Sequence, residues 1–306
     1  MVSTARPDSR LSGTIWVMGA LLAASIEPII VKFGFRGHLS PWHLFTLKSV
    51  FAALLCFAVC FLFKFKLANR EQLKKLAVPS VLLIGTNIFT MFALYYISAV
   101  TVITVVTTTP ALVAVLNQRL GRDQLDKLFW PGFWLSFIGV LLSIELSQFM
   151  VQPLGLVLMF GAVITSSFYR VQMERLTDEI SPVVISACTM AVGAVFSLLF
   201  ILPFNYDMPV SAWYFGLWIG IAAGLANIAF LFAINTVGAT RISVITMLQR
   251  PLLIIAAAVL LKEPVTIPQI IGIVLVIAGT QMARVTRLQP QRAEAQFEEP
   301  QSAPRS

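Results

Sequence analysis

Stretches of about twenty apolar residues recur along this chain almost without interruption, and each is long enough to cross a hydrocarbon core of about 30 Å. Ten windows can be marked: 12–34, 41–63, 76–97, 100–118, 129–147, 153–172, 181–204, 211–236, 239–261 and 266–284. Lipid offers the backbone no hydrogen-bond partner, so only helices and closed barrels span it. Barrel strands alternate apolar and polar residues over about ten positions, a pattern missing here. The expected fold is therefore all-α and integral to the membrane, with ten transmembrane helices. Composition agrees: 58% of the 306 residues are hydrophobic and 12% charged, against about 25% charged in soluble domains. Ala23-Ala24-Ser25 resembles a signal cleavage site, but the repeat described below requires this window, which is kept as the first span.

The net charge of +8 is distributed as an orientation signal rather than as a nucleic-acid surface. With the N-terminus inside, seventeen basic residues fall on the inner side: Arg6, Arg10, Lys64, Lys66, Arg70, Lys74, Lys75, Arg119, Arg122, Lys127, Arg170, Arg175, Arg241, Arg284, Arg287, Arg292 and Arg305. Arg36 and Lys262 alone fall outside. This positive-inside bias puts both termini in the cytoplasm of a multi-pass plasma-membrane protein, the inner membrane in a bacterium. Residues 1–11 read as a cytoplasmic tail. Residues 285–306 hold prolines, glutamines and glutamates, cannot bury a core, and are expected to be disordered.

The chain repeats itself. Gly13 and Gly19 recur as Gly155 and Gly161, an offset of 142. Ser40-Pro41 recurs as Ser181-Pro182, and Pro110 as Pro251, both at 141. Asn87–Ala93 and Asn227–Ala233 share N-I-x-x-x-F-A, and Gly132 and Gly139 recur as Gly272 and Gly279 at 140. The two repeats are 12–147 and 153–284, each of five spans. An odd number of spans inverts the second repeat relative to the first, the architecture of secondary transporters with a midplane site.

On these residues the chain resembles the drug/metabolite transporter superfamily, in particular its EamA-like ten-helix branch. Ser-Pro opens the second helix of each repeat and a proline sits in the fourth. Leu261-Lys262-Glu263 follows the fourth helix of the second repeat, and Gln269-Ile270-Ile271-Gly272 through Ala278-Gly279 forms the Gly-rich fifth. Two positions depart: Arg122 stands where Glu263 has its counterpart, and Lys48 where many relatives carry arginine. The resemblance covers residues 12–284 and implies transport or exchange without ATP, coupled to protons or another gradient.

Ionisable residues inside a membrane are costly and mark functional sites by default. Glu27, beside Pro28, and Lys48 lie at matching depth, about 10 Å from the outer end at 1.5 Å per residue. Arg250 lies near the midplane, between Gln249 and Pro251. A Glu27–Lys48 or a Glu27–Arg250 ion pair would neutralise buried charge, as structural glue or as a substrate or proton site. The three sum to one positive charge, which suits a carboxylate or a zwitterion whose amine meets Glu27. Thr107, Thr108 and Thr109 precede Pro110, where their hydroxyls either satisfy carbonyls freed by the proline or line the pathway. Asn87 and Asn227 are symmetry mates that bond a neighbouring helix or the ligand. Tyr169 aligns with Glu27, as a wall residue or an interface anchor. The expected substrate-binding set is thus Arg250, Glu27, Lys48, Gln249, Thr109, Asn87, Asn227 and Tyr169, with Pro110 and Pro251 as hinges.

Chemistry of other kinds finds no residues. Cys56, Cys60 and Cys188 sit inside apolar runs, as packing cysteines do. His38 and His43 flank a loop, and there is no P-loop or H-E-x-x-H motif. Trp42, Trp130, Trp134, Trp213 and Trp218 stand near span ends, as in an aromatic belt, and Trp16 fits the same role. No enzyme, metal, cofactor or nucleic acid is expected. The partners are a small-molecule substrate and the bilayer, with a homodimer left open. The leading reading is a secondary active transporter of a small polar metabolite, carboxylate-bearing or zwitterionic, working by alternating access with proton coupling or exchange. The alternatives are an exporter of amines or lipophilic cations, and a non-transport structural or receptor protein of the same fold.

Overall fold

Helix starts in this chain are written locally. Ser40 caps a helix that opens on Pro41: its hydroxyl accepts from the His43 amide at 3.2 Å, and the Ser40 amide donates back to His43 Nδ1 at 3.3 Å. Asn69 and Gln72 repeat this reciprocal cap, at 2.8 and 3.0 Å. Each cap satisfies two amides that no helical turn can reach. His43 is thereby part of a cap.

The computed structural model describes residues 10–97, 102, 105–142, 152–201, 208–248, 251, 267–283 and 285–287. Its helices are α1 (Arg10–Arg36), α2 (Pro41–Leu62), α3 (Arg70–Tyr96), α4 (Thr109–Arg119), α5 (Phe129–Leu142), α6 (Pro153–Glu179), α7 (Pro182–Ile201), α8 (Val210–Val237), α9 (Ala239–Ile245) and α10 (Ile267–Met282). A 3₁₀ turn, Thr246–Leu248, continues α9. Two short strands, β1 (Asp123–Leu125) and β2 (Val285–Arg287), pair antiparallel. Among the described residues, five helices are long and apolar enough to cross a membrane: α2, α3, α6, α7 and α8. Val157, Phe160, Ile164 and Phe168 stand exposed along α6 at three- and four-residue spacing, a stripe suited to lipid and unsuited to water. Among the described residues the protein is all-α but for the strand pair, and it is a multi-pass membrane protein.

Packing is set by residues without bulk. Gly216, Gly220 and Gly224 lay α8 parallel against Leu47, Phe51 and Leu55 of α2. On α5 and α10 the glycines face each other: a Cβ on Gly132 would lie 2.5 Å from the Ala283 amide, and one on Gly139 2.7 Å from the Gly272 carbonyl. Residue 132 meets 279–283 and residue 139 meets 272–276, so α5 and α10 run antiparallel at backbone contact. Such small-residue seams bring helices close in lipid, where no hydrophobic drive exists between them. The helix pairs follow a rule: α1 packs on α8 and α6 on α3, α2 on α8 and α7 on α3, with α2 on α7 and α5 on α10. Adding five to each helix number, cyclically, returns the same set.

The structure differs from the sequence expectation at several edges. α3 begins at Arg70 instead of 76, drawn out by the Asn69 cap. α6 runs to Glu179 instead of 172, because Arg170 and Glu174 find partners inside the bundle. Val285–Arg287, which the sequence assigns to the tail, pairs with Asp123–Leu125. Trp16 stacks on Phe232 at 4.4 Å, and Trp42 packs edge-on to Phe92 at 4.9 Å; both serve helix packing, while Trp130, Trp134, Trp213 and Trp218 are exposed. Cys56 and Cys60 are buried core residues.

Candidate functional site

Three of the residues singled out by sequence come together on three helices. Glu27 of α1 pairs with Lys48 of α2, and the Lys48 ammonium also donates to Asn87 Oδ1 of α3 at 2.8 Å. The Lys48 side chain is 6% exposed and Glu27 23%. An ammonium has three donors and no acceptor, so two of the three are taken by these helices. Lys32, one and a half turns beyond Glu27, donates to the Leu94 and Ile97 carbonyls (2.8 Å to Ile97) and so closes the C-terminal end of α3.

The second half carries a neutral counterpart. Glu27, Lys48 and Asn87 correspond to Tyr169, Thr189 and Asn227 at offsets of 142, 141 and 140. The Tyr169 hydroxyl donates to Asn227 Oδ1 at 3.4 Å, and Thr189 is a further hydrogen-bonding neighbour of that hydroxyl. Asn227 Nδ2 donates to Ser186 Oγ at 3.1 Å. Tyr169 is buried, 4% exposed, and holds α6 to α8 in the interior. Sequence reasoning misses Thr189 and Ser186, although the repeat offset applied to Lys48 points straight at Thr189.

Arg170 reads in the sequence as a loop charge and is instead inside the bundle. Its Nη1 donates to Ser243 Oγ of α9 at 2.9 Å, and its guanidinium lies over the Phe230 ring of α8 at 4.7 Å. The inner-side tally of basic residues therefore loses a member. One turn further along α6, Asn117 Nδ2 donates to Glu174 Oε2 at 2.7 Å and lies 3.1 and 3.2 Å from Thr240 Oγ1 and Asp123 Oδ2. Glu174 Oε1 also accepts from the Ala239 amide at 3.3 Å, placing a carboxylate at the start of α9, where helix dipole and open amides favour it. This buried cluster joins α4, β1, α6 and α9. Sequence does not reveal it, because the sixth apolar window ends at 172, ahead of Glu174.

The threonines before Pro110 divide. Thr108 Oγ1 donates to the Val105 carbonyl at 2.7 Å, which also accepts from the Thr108 amide at 3.1 Å. The carbonyl that Pro110 leaves without a donor is that of Val106, so this bond closes a local turn and does not repair the proline break. Thr109 is buried, and its hydroxyl has no hydrogen-bond partner among the described residues. Pro110 opens α4 and is buried. Gln249 and Arg250 lie outside the described residues; the 3₁₀ turn that ends just before them shows α9 loosening ahead of Pro251, which is buried.

Comparison with known proteins fits this geometry. The model of the EamA-like transporter family matches twice, over residues 11–144 and 153–284. An uncharacterized transporter of Bacillus subtilis (strain 168), YetK, is 27% identical over 296 residues, covering 91% of this chain and 84% of its own. Another from that organism, the uncharacterized transporter YyaM, is 28% identical over 235 residues, covering 70% and 75%. A solved crystal structure shares the fold, with a TM-score of 0.72 at 18% identity over 90% of this chain and 98% of its own. Two copies of the family module account for nearly the whole chain: it belongs to the EamA-like transporter family.

Proposed function

We propose that this transporter moves a small polar metabolite, carboxylate-bearing or zwitterionic, by alternating access between two inverted five-helix repeats. The observation that carries this reading is the Glu27–Lys48–Asn87 group, a polar constellation enclosed by three apolar helices. Such a pair can open to admit the amine of a zwitterion at Glu27, its carboxylate being held by a cation elsewhere in the bundle. The helix pairing that survives renumbering by five, and the antiparallel α5–α10 seam, support ten spans in two inverted repeats. Pro110 and Pro251, at the broken fourth helix of each repeat, act as hinges. Coupling is to protons or by exchange. The bias of the basic residues supports cytoplasmic termini. An amine or lipophilic-cation cargo is less well supported, because Glu27 already has Lys48 as its cation.

Counterflow in proteoliposomes with amino acids, organic anions and amines tests the reading. Carboxylates or zwitterions are expected to exchange, and uptake confined to amines would overturn it. Arg250→Gln is expected to abolish counterflow while the protein still elutes as a single folded species; full transport by that variant removes Arg250 from the site.

A further inference from the structure

We propose that Arg170 is the anion anchor of the second half, binding the carboxylate of the transported molecule between α4, α6 and α9. This rests on the carboxylate-transport reading above and assigns that carboxylate a residue which the sequence alone places in a loop.

Among the described residues the ion pairs are Lys48–Glu27, Lys74–Glu71 and Lys75–Glu179. Arg170 is in none of them, although it lies nine residues inside the end of α6, about 13 Å at 1.5 Å per residue. A guanidinium cannot shed its proton and presents five donors in a planar fork. Here one donor reaches a neutral hydroxyl and the face rests on a ring. Ser243 is itself committed, since its hydroxyl donates to the Ala239 carbonyl at 2.7 Å. Glu174, the carboxylate one turn away, holds Asn117 and the start of α9. Shielded charge of this kind is kept where something else neutralises it.

Geometry supplies the place. α6 and α4 both run antiparallel to α9. Glu174 meets Ala239 and Arg170 meets Ser243, while Asn117 meets Thr240 and Ala111 shares a packing cluster with Met247 and Leu248. From the level where Asn117, Glu174 and Thr240 join, Arg170 lies about 6 Å along the bundle and Thr109 about 12 Å. Thr109 contributes a buried hydroxyl without a partner among the described residues, and the 3₁₀ turn Thr246–Leu248 flanks the same stretch of α9. A bidentate carboxylate on Arg170 with Thr109 donating from above satisfies both. In the first half the buried cation, Lys48, already has its carboxylate; in the second half the ligand brings it.

Two measurements separate this from a structural role. Arg170→Gln and Arg170→Lys are compared with wild type in counterflow of the carboxylates and amino acids from the panel above, and in thermal unfolding in detergent without substrate. The expected result for Arg170→Gln is a KM at least tenfold higher for every carboxylate carried by wild type, with a Tm equal to or above wild type. Arg170→Lys is expected to recover part of the KM. An unchanged KM in Arg170→Gln overturns the proposal, as does a lowered Tm, or a failure to fold, that Arg170→Lys restores without restoring KM. If wild type exchanges no carboxylate, the transport reading falls and takes this proposal with it; if it does and Arg170→Gln keeps its KM, this proposal falls alone.

Discussion

At the scale of single residues, Glu27 and Lys48 show how a charge pair in an apolar bundle stakes stability on both partners. Removing one leaves the other shielded and unpaired, at a cost of about 3–5 kcal/mol, whereas replacing both by neutral groups can be close to neutral. Lys48→Met is therefore expected to lower Tm strongly, and Glu27→Gln combined with Lys48→Met to recover most of the loss. Additive effects in the double variant would mean the pair contributes no coupling. The sequence offers this pair beside Glu27–Arg250, because Glu27 and Lys48 sit at one depth in adjacent windows, and the structure shows Glu27 on Lys48. Arg170 is not legible in the sequence: a charge near the end of an apolar window reads as a loop signal, and only the partners on α8 and α9 reveal that the helix runs on. Thr189 and Ser243 are ordinary hydroxyl residues whose meaning comes from what they touch.

At the scale of elements, the α5–α10 seam and the start of α9 carry separate expectations. Gly139→Val would drive a branched side chain into the Gly272 carbonyl, 2.7 Å from where its Cβ must go. The helices must part, and overpacking of this kind costs about 1–3 kcal/mol. Gly85→Ala is the control, since its Cβ would meet Thr165 Cγ2 at an ordinary 3.6 Å. Thermal unfolding of the two variants distinguishes a backbone seam from general sensitivity to glycine loss. Glu174→Ala unhooks the first amide of α9 and strips Asn117 of a partner; a loss of about 1–2 kcal/mol is expected, the range of a helix cap. The glycine positions are visible in the sequence as repeat markers, but their facing one another is not, because a repeat fixes equivalence and says nothing about contact.

At the scale of the whole molecule, the β1–β2 pair ties the connection between α4 and α5 to the residues after α10, one half of the chain to the other. Gln124 and Thr286 are register partners. With Cys56, Cys60 and Cys188 replaced by alanine, a disulfide between Gln124→Cys and Thr286→Cys is expected to form readily and to stop counterflow until it is reduced, if this end opens during transport. Undiminished counterflow in the oxidised protein would make the clasp a fixed hinge side. The same pair bears on the order of assembly. Strand β2 follows every described helix in the chain, so its partner β1 is synthesised and inserted well before it. Through most of biogenesis the edge of β1 waits open, and the bundle is fastened at that end by the last described element to emerge. A chain that stalls or is cut ahead of Val285 would carry every described helix and still lack its fastening, a difference a protease at that membrane face could read.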